Sequence, residues 1–116
     1  MPHVRLEVTE NMPEAGRAHE FLPGLVELLS GFETVTPSAV KSNLTIHRHW
    51  AMGEGAMRGY AHVEVLLLEG RSDELLKRVA DTFHLRMLEL FAESVRTGQG
   101  NATVEVRDMR SITYRK

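Results

Sequence analysis

Tyr60-Ala61-His62-Val63-Glu64-Val65-Leu66-Leu67-Leu68-Glu69-Gly70-Arg71-Ser72-Asp73-Glu74 reads as a strand running into a capped helix. Tyr60 to Leu68 is rich in β-branched and apolar side chains, the mark of a strand. Ser72 is of the N-cap type, and Asp73 and Glu74 suit the positive end of the helix that follows. Leu76, Val79, Ala80, Phe83, Met87, Leu90 and Phe91 recur at helical spacing, which predicts one helix from Ser72 to near Arg96. Gly98-Gln99-Gly100 stops it. Thr103 to Arg107 then alternates as a further strand, and Ile112 with Tyr114 suggests a short terminal one.

The preceding half has the same order. Val4, Leu6 and Val8 alternate with Arg5, Glu7 and Thr9, the period of a half-buried strand. Asn11 to Glu20, with Pro13 and Gly16, reads as a loop. Leu22, Leu25, Val26, Leu28, Leu29 and Phe32 follow at helical spacing, with Pro23 in the first turn, where its missing donor is harmless. Pro37 lies at or beyond the end of that helix. Val40, Ser42, Leu44 and Ile46 alternate with Lys41, Asn43, Thr45 and His47 as a second strand. Ala51 to Gly59 carries three glycines and forms the joint between the halves. The expectation is an α/β (α+β) fold: a tandem βαβ pair with right-handed crossovers, a four-stranded mixed sheet and two helices on one face, in a single domain over residues 1–116. Val63, Val65 and Leu67 on one side of the third strand, and Leu66 and Leu68 on the other, suggest a second buried face covered by another copy of the chain.

Composition narrows the partners. The chain has 116 residues, 42% apolar and 26% charged, with a net charge of −2. That charge gives no electrostatic reason for nucleic acid or a membrane as partner. No run approaches membrane-spanning length, and the amino terminus lacks a signal-peptide core, so the cytoplasm is the default location. There is no cysteine, hence no disulfide and no thiolate chemistry. A domain this small gains burial by oligomerising.

Pro2 follows the initiator methionine. Methionine removal in bacteria is efficient before proline, so the mature chain would begin with a secondary amine, a base and nucleophile that no internal residue supplies. With Met1 attached, the same nitrogen is an amide. A plain edge-strand proline is the alternative reading.

Several stretches resemble 5-carboxymethyl-2-hydroxymuconate isomerase, a branch of the tautomerase superfamily. They are Met1-Pro2-His3 with Glu7 and Asn11, Leu22-Pro23-Gly24-Leu25, His49-Trp50, Tyr60-Ala61 and Gly70-Arg71-Ser72. The resemblance implies a homotrimer of βαββαβ subunits, with sites near subunit interfaces and no cofactor. It implies that Pro2 shuttles a proton in an enol–keto isomerisation of a small unsaturated 2-hydroxy/2-oxo dicarboxylate. Two arginines would hold the substrate carboxylates. One falls on Arg71. The other falls on Lys41, or on Thr45 in an ungapped placement, and lysine keeps the charge but not the planar fork. His3, His49 and Trp50 are the further candidates for lining the substrate pocket.

The chemistry requires a base whose pKa lies near the working pH. Burial and neighbouring cations both disfavour a charged amine, so Arg71 and Lys41 would lower the pKa of Pro2 as well as bind the dianion. They would also stabilise the dienolate as its charge develops. A surface loop role for Arg71, a solvent-facing role for Lys41 and a surface place for His3 are the structural alternatives. His47, His49 and His62 lack the closing ligand of a zinc site, so no metal is expected. A noncatalytic oligomeric ligand-binding module is the rival class. A different tautomerase reaction is the rival within the class.

Overall fold

The computed structural model describes residues 1–116. Its elements are β1 (His3–Thr9), α1 (Leu22–Ser30), β2 (Lys41–His47), β3 (Gly59–Leu68), α2 (Asp73–Leu90), α3 (Ala92–Thr97) and β4 (Gly100–Met109), with 3-10 turns at Ala15–Phe21 and Pro37–Ala39. The sheet order is β2-β1-β3-β4. Each half contributes a parallel pair, β1 with β2 and β3 with β4. The antiparallel β1–β3 pair joins the halves into the expected mixed sheet.

Strand alternation sets the core. Val4, Leu6 and Val8 of β1 and Ala61, Val63, Val65 and Leu67 of β3 are buried against Leu25 and Leu29 of α1 and Val79, Phe83 and Met87 of α2. Both helices therefore cover one face. Each fully buried large apolar side chain contributes roughly 1.5–3 kcal/mol. Gly59 opens β3 where a Cβ would collide with Thr9 Oγ1 and Asn11 Oδ1, so a larger residue there would have to displace that hydrogen-bonded pair.

The other face departs from expectation. Period-2 alternation gives it His3, Arg5 and Glu7 from β1, Lys41, Asn43 and Thr45 from β2, and His62 and Glu64 from β3. Glu64 stands between Arg5 at 3.5 Å and Arg107 at 3.3 Å. The face is polar, and only Leu66 and Leu68 make the β3 side apolar. Leu66 is just 5% exposed in the single chain, so it does not call for a partner.

The expected terminal strand is absent. Ser111 N–H and Oγ–H donate to Glu69 Oε2 at 2.5 and 2.6 Å, and the amides of Thr113 and Tyr114 turn back to the Arg110 carbonyl. These local bonds use the groups that a strand would pair, and Ile112 is left 66% exposed.

The long second helix is divided at Phe91, whose backbone (φ −109°, ψ 29°) leaves the helical region. On the helix face, Leu75 rather than Leu76 is the buried leucine. Beyond the break, Ser94 meets the buried carboxylate of Glu14, which accepts from Ser94 N–H at 3.1 Å and from Ser94 Oγ–H. The segment read as a plain loop thus supplies a buried polar tie to α3, just before its 3-10 turn.

Candidate active site

Pro2 is buried immediately before β1, and its carbonyl accepts the Lys41 N–H at 3.0 Å. It lies at a hollow of about 240 Å³ that is also lined by Met1, Thr34, Leu68, Arg71 and Lys116. Pro2 and Arg71, far apart in sequence, are brought together here. With Met1 attached, the Pro2 nitrogen is an amide and the free amine belongs to Met1.

Local backbone demands put Arg71 in place. Gly70 has φ 118°, a conformation that side-chain-bearing residues rarely adopt, so the chain can turn sharply out of β3. Ser72 then caps α2, its Oγ accepting from Leu75 N–H at 3.2 Å. Between them, the Arg71 guanidinium donates from Nε to Thr34 Oγ1 at 2.9 Å, from Nη2 to the Thr34 carbonyl at 2.9 Å and from Nη1 to the Leu68 carbonyl at 3.0 Å. A guanidinium has five N–H donors, so two remain for a ligand.

Lys41 flanks the hollow without lining it. It pairs in register with His3, so its side chain leaves on the open sheet face. Thr45, its alternative, lies further along the same face. Lys116 is the cation that sequence reasoning misses. The tail turn clasped by Glu69 and Ser111 returns it to the amino terminus. The serine bonds in turn hold the Glu69 carboxyl below its usual range. The terminal amine is itself pushed below its ordinary pKa of 8.0, first by desolvation and then by the charges of Lys116, Lys41 and Arg71. Cations crowd this end of the sheet whichever of their side chains touch the hollow.

The remaining candidates lie elsewhere in the chain. His3 follows Pro2, and successive side chains of a strand point to opposite faces. His3 accordingly lines a separate hollow of about 320 Å³ with Arg5 and Tyr114, and its Nε2 is 3.3 Å from the Tyr114 hydroxyl. Burial, followed by the charges of Arg5, Lys41 and the amino terminus, holds its pKa below the usual value.

His49 and Trp50 sit past the far end of β2, which stops at His47. From Lys41 to His47 the strand spans roughly 20 Å at its usual rise, so neither residue reaches Pro2 of its own chain. His49 is exposed, and Trp50 Nε1 donates to the Arg58 carbonyl at 3.0 Å. Because the strand ends at His47, His49 shares no strand face with it. His47 instead lies 3.2 Å from Glu7 Oε1, and His62 Nδ1 is 2.7 Å from Thr103 Oγ1.

Other shared motif residues hold this far end together. Tyr60 O–H donates to Glu7 Oε1 at 3.1 Å, and burial, followed by that bond and the carboxylate's charge, raises the tyrosine pKa. Asn11 Oδ1 accepts from Thr9 Oγ–H, and its Nδ2 donates to the Arg58 carbonyl.

The βαββαβ chain, with Pro2 heading its first strand amid cations, has the fold of the tautomerases, and it is an isomerase of that class. It belongs to the 5-carboxymethyl-2-hydroxymuconate isomerase family, whose model matches residues 2–116. A solved 5-carboxymethyl-2-hydroxymuconate isomerase from Deinococcus radiodurans R1 is 21% identical, with a TM-score of 0.88 over 99% of this chain and 87% of that one. Pt0534, solved after inactivation by 2-oxo-3-pentynoate, is 15% identical, with a TM-score of 0.76 over 98% and 91%. A fused 4-OT solved as a symmetric trimer is 18% identical, with a TM-score of 0.67 over 93% and 85%. No curated protein sequence matches. No helix is long and apolar enough to cross a membrane.

Proposed function

We propose that the chain isomerises a small unsaturated 2-hydroxy/2-oxo polycarboxylate by proton transfer at the amine of Pro2, once Met1 has been removed. The observation that carries this reading is the shared hollow of Pro2 and Arg71, set among further cations. The neutral amine takes the 2-hydroxyl proton of the dienol, and the dienolate so formed is reprotonated from the same amine at the far carbon of the diene as the 2-oxo group forms. Arg71 binds a carboxylate and stabilises the dienolate as its charge develops. Neighbouring cations disfavour the charged amine and so favour the neutral form that a general base requires.

5-Carboxymethyl-2-hydroxymuconate fits this charge pattern. Its name describes two muconate carboxylates and a third on the carboxymethyl arm; Arg71 and Lys116 line the hollow together with Glu69, and Lys41 adds its charge from the other face. Turnover of a panel of 2-hydroxydienoates tests the reading. The highest kcat/KM is expected for the most highly charged member. Lys116→Ala should raise its KM roughly tenfold or more, the scale of one charge-assisted contact. Lys41→Ala should do less, because its side chain leaves on the other face. A larger effect at Lys41, with improvement in Lys41→Arg, would return the second carboxylate contact to Lys41. No turnover of any member would refute the reading.

We also infer a homotrimer. Support comes from the fused 4-OT relative, itself a trimer, and from the small size of the chain. The polar sheet face would then meet its neighbours through ion pairs and hydrogen bonds rather than an apolar patch. His49 and Trp50 would serve the Pro2 of a neighbouring copy, not their own. Light scattering at micromolar concentration should give three times the chain mass, and a monomer would contradict the assembly.

A further inference from the structure

Thr34 is the only non-glycine residue with a positive φ, at 71°. A β-branched side chain rarely occupies this left-handed region, because its Cβ crowds the backbone. No glycine or asparagine stands there to relieve the crowding, so contacts around the residue must hold it in place.

Those contacts lead to Arg71. Thr34 supplies two of the guanidinium's three acceptors, its hydroxyl to Nε and its carbonyl to Nη2, each at 2.9 Å. The adjacent Glu33 is tied to α2 by an ion pair with Arg78 at 2.7 Å. The segment is thereby fastened to α2 by Arg78 and to the turn before α2 by Arg71. Both Thr34 and Arg71 line the hollow at Pro2. Three directed acceptors fix the plane of the guanidinium, and without the Thr34 hydroxyl Nε is left unheld beside the two carbonyl contacts. A fixed plane spares the ordering cost when a planar carboxylate docks.

We propose that Thr34 is a positioning residue for substrate binding: it holds the Arg71 guanidinium so that its two unused N–H donors face the hollow at Pro2. The inference rests on the reading of Arg71 as a carboxylate holder. It adds that the geometry of that contact is set by a threonine hydroxyl on a neighbouring loop.

The test combines adipate binding, measured by calorimetry on the assembled protein, with KM for the best dienoate. Thr34→Val removes the hydroxyl and keeps the shape. It is expected to weaken adipate binding about tenfold and to raise KM in parallel, as one lost hydrogen bond to a charged group does. Thr34→Ser restores the hydroxyl and should bind within about twofold of wild type. Thr34→Gly accepts the positive φ without strain but lacks the hydroxyl, so it should resemble Thr34→Val even if the valine variant folds poorly.

Wild-type affinity in both the valine and glycine variants would overturn the inference. So would a serine variant as weak as valine, or a wild type that does not bind adipate. A Met1-free wild type that binds adipate but turns over no dienoate would instead refute the isomerase reading, and the adipate comparison would still judge Thr34.

Discussion

A chain that retains Met1 is expected to turn over substrate roughly 10²–10⁴-fold more slowly than one that begins at Pro2, the usual range for loss of a general base. The amide nitrogen of a Met1–Pro2 bond has no basicity; the Met1 amine sits one residue further out, and the Glu69 carboxylate that also lines the hollow is engaged by Ser111. Pro2→Ala, freed of Met1, is expected to fall between the two. It keeps a terminal amine, though a primary and less rigidly held one.

The pH dependence has a definite sign. In the chain that carries Met1, desolvation and the cations around it lower the pKa of the Met1 amine, and the same cations would act in the same direction on a Pro2 amine one residue along. Only the neutral form accepts a proton, so kcat/KM should rise as pH increases through that lowered value and level off above it. Removing Lys116 takes away the strongest cationic influence at the amino terminus. The rising limb should then move to higher pH.

Arg71→Ala should raise KM and lower kcat together, costing about 2–4 kcal/mol in kcat/KM, or roughly 30- to 1,000-fold. The contact strengthens as the dienolate forms, so its loss cannot appear in KM alone. The substitution also frees Thr34 and the Leu68 carbonyl, which Arg71 now ties together. Arg71→Lys separates the two roles. It retains the charge but cannot reproduce three directed bonds, so most of the KM loss should persist. Steady-state kinetics on a folded, Met1-free preparation checks this. An unchanged kcat in Arg71→Ala would restrict the residue to ground-state binding or to holding the loop.

The fold was legible wherever a residue's environment depends on its immediate neighbours. Alternation in Val4-Leu6-Val8 and in Val63-Val65-Leu67 marked the strands and their buried side. Ser72 was legible because an N-cap is a local demand on residue type, whereas Gly70 and Arg71 stood out only through the resemblance and the positive φ of Gly70 supplies their physical reason.

What escaped the sequence depends on distant partners. Glu14 looks like an ordinary loop carboxylate, yet it is buried because Ser94 comes back to meet it. The break at Phe91 has no proline or glycine to announce it, and the apolar period runs straight through. In β3, Leu66 and Leu68 suggested a second apolar face, whereas His62 and Glu64 determine its character. Lys116 enters the site through a tail turn with no periodic signature. Lys41 is excluded from the hollow by strand register, which depends on its pairing with β1.

The central claim is that Pro2 acts through a free amine. A 2-oxo-3-alkynoate is an electrophile at its alkyne carbon, and 2-oxo-3-pentynoate inactivates the structural relative Pt0534. Treating the protein with 2-oxo-3-pentynoate and mapping the adduct by mass spectrometry tests the claim most directly. The expected result is one adduct per chain on the Pro2 nitrogen of Met1-free protein, with activity lost in step, and no adduct on protein that retains Met1. Full activity in a chain shown by mass to carry Met1, or inactivation by an adduct on another residue, would contradict it.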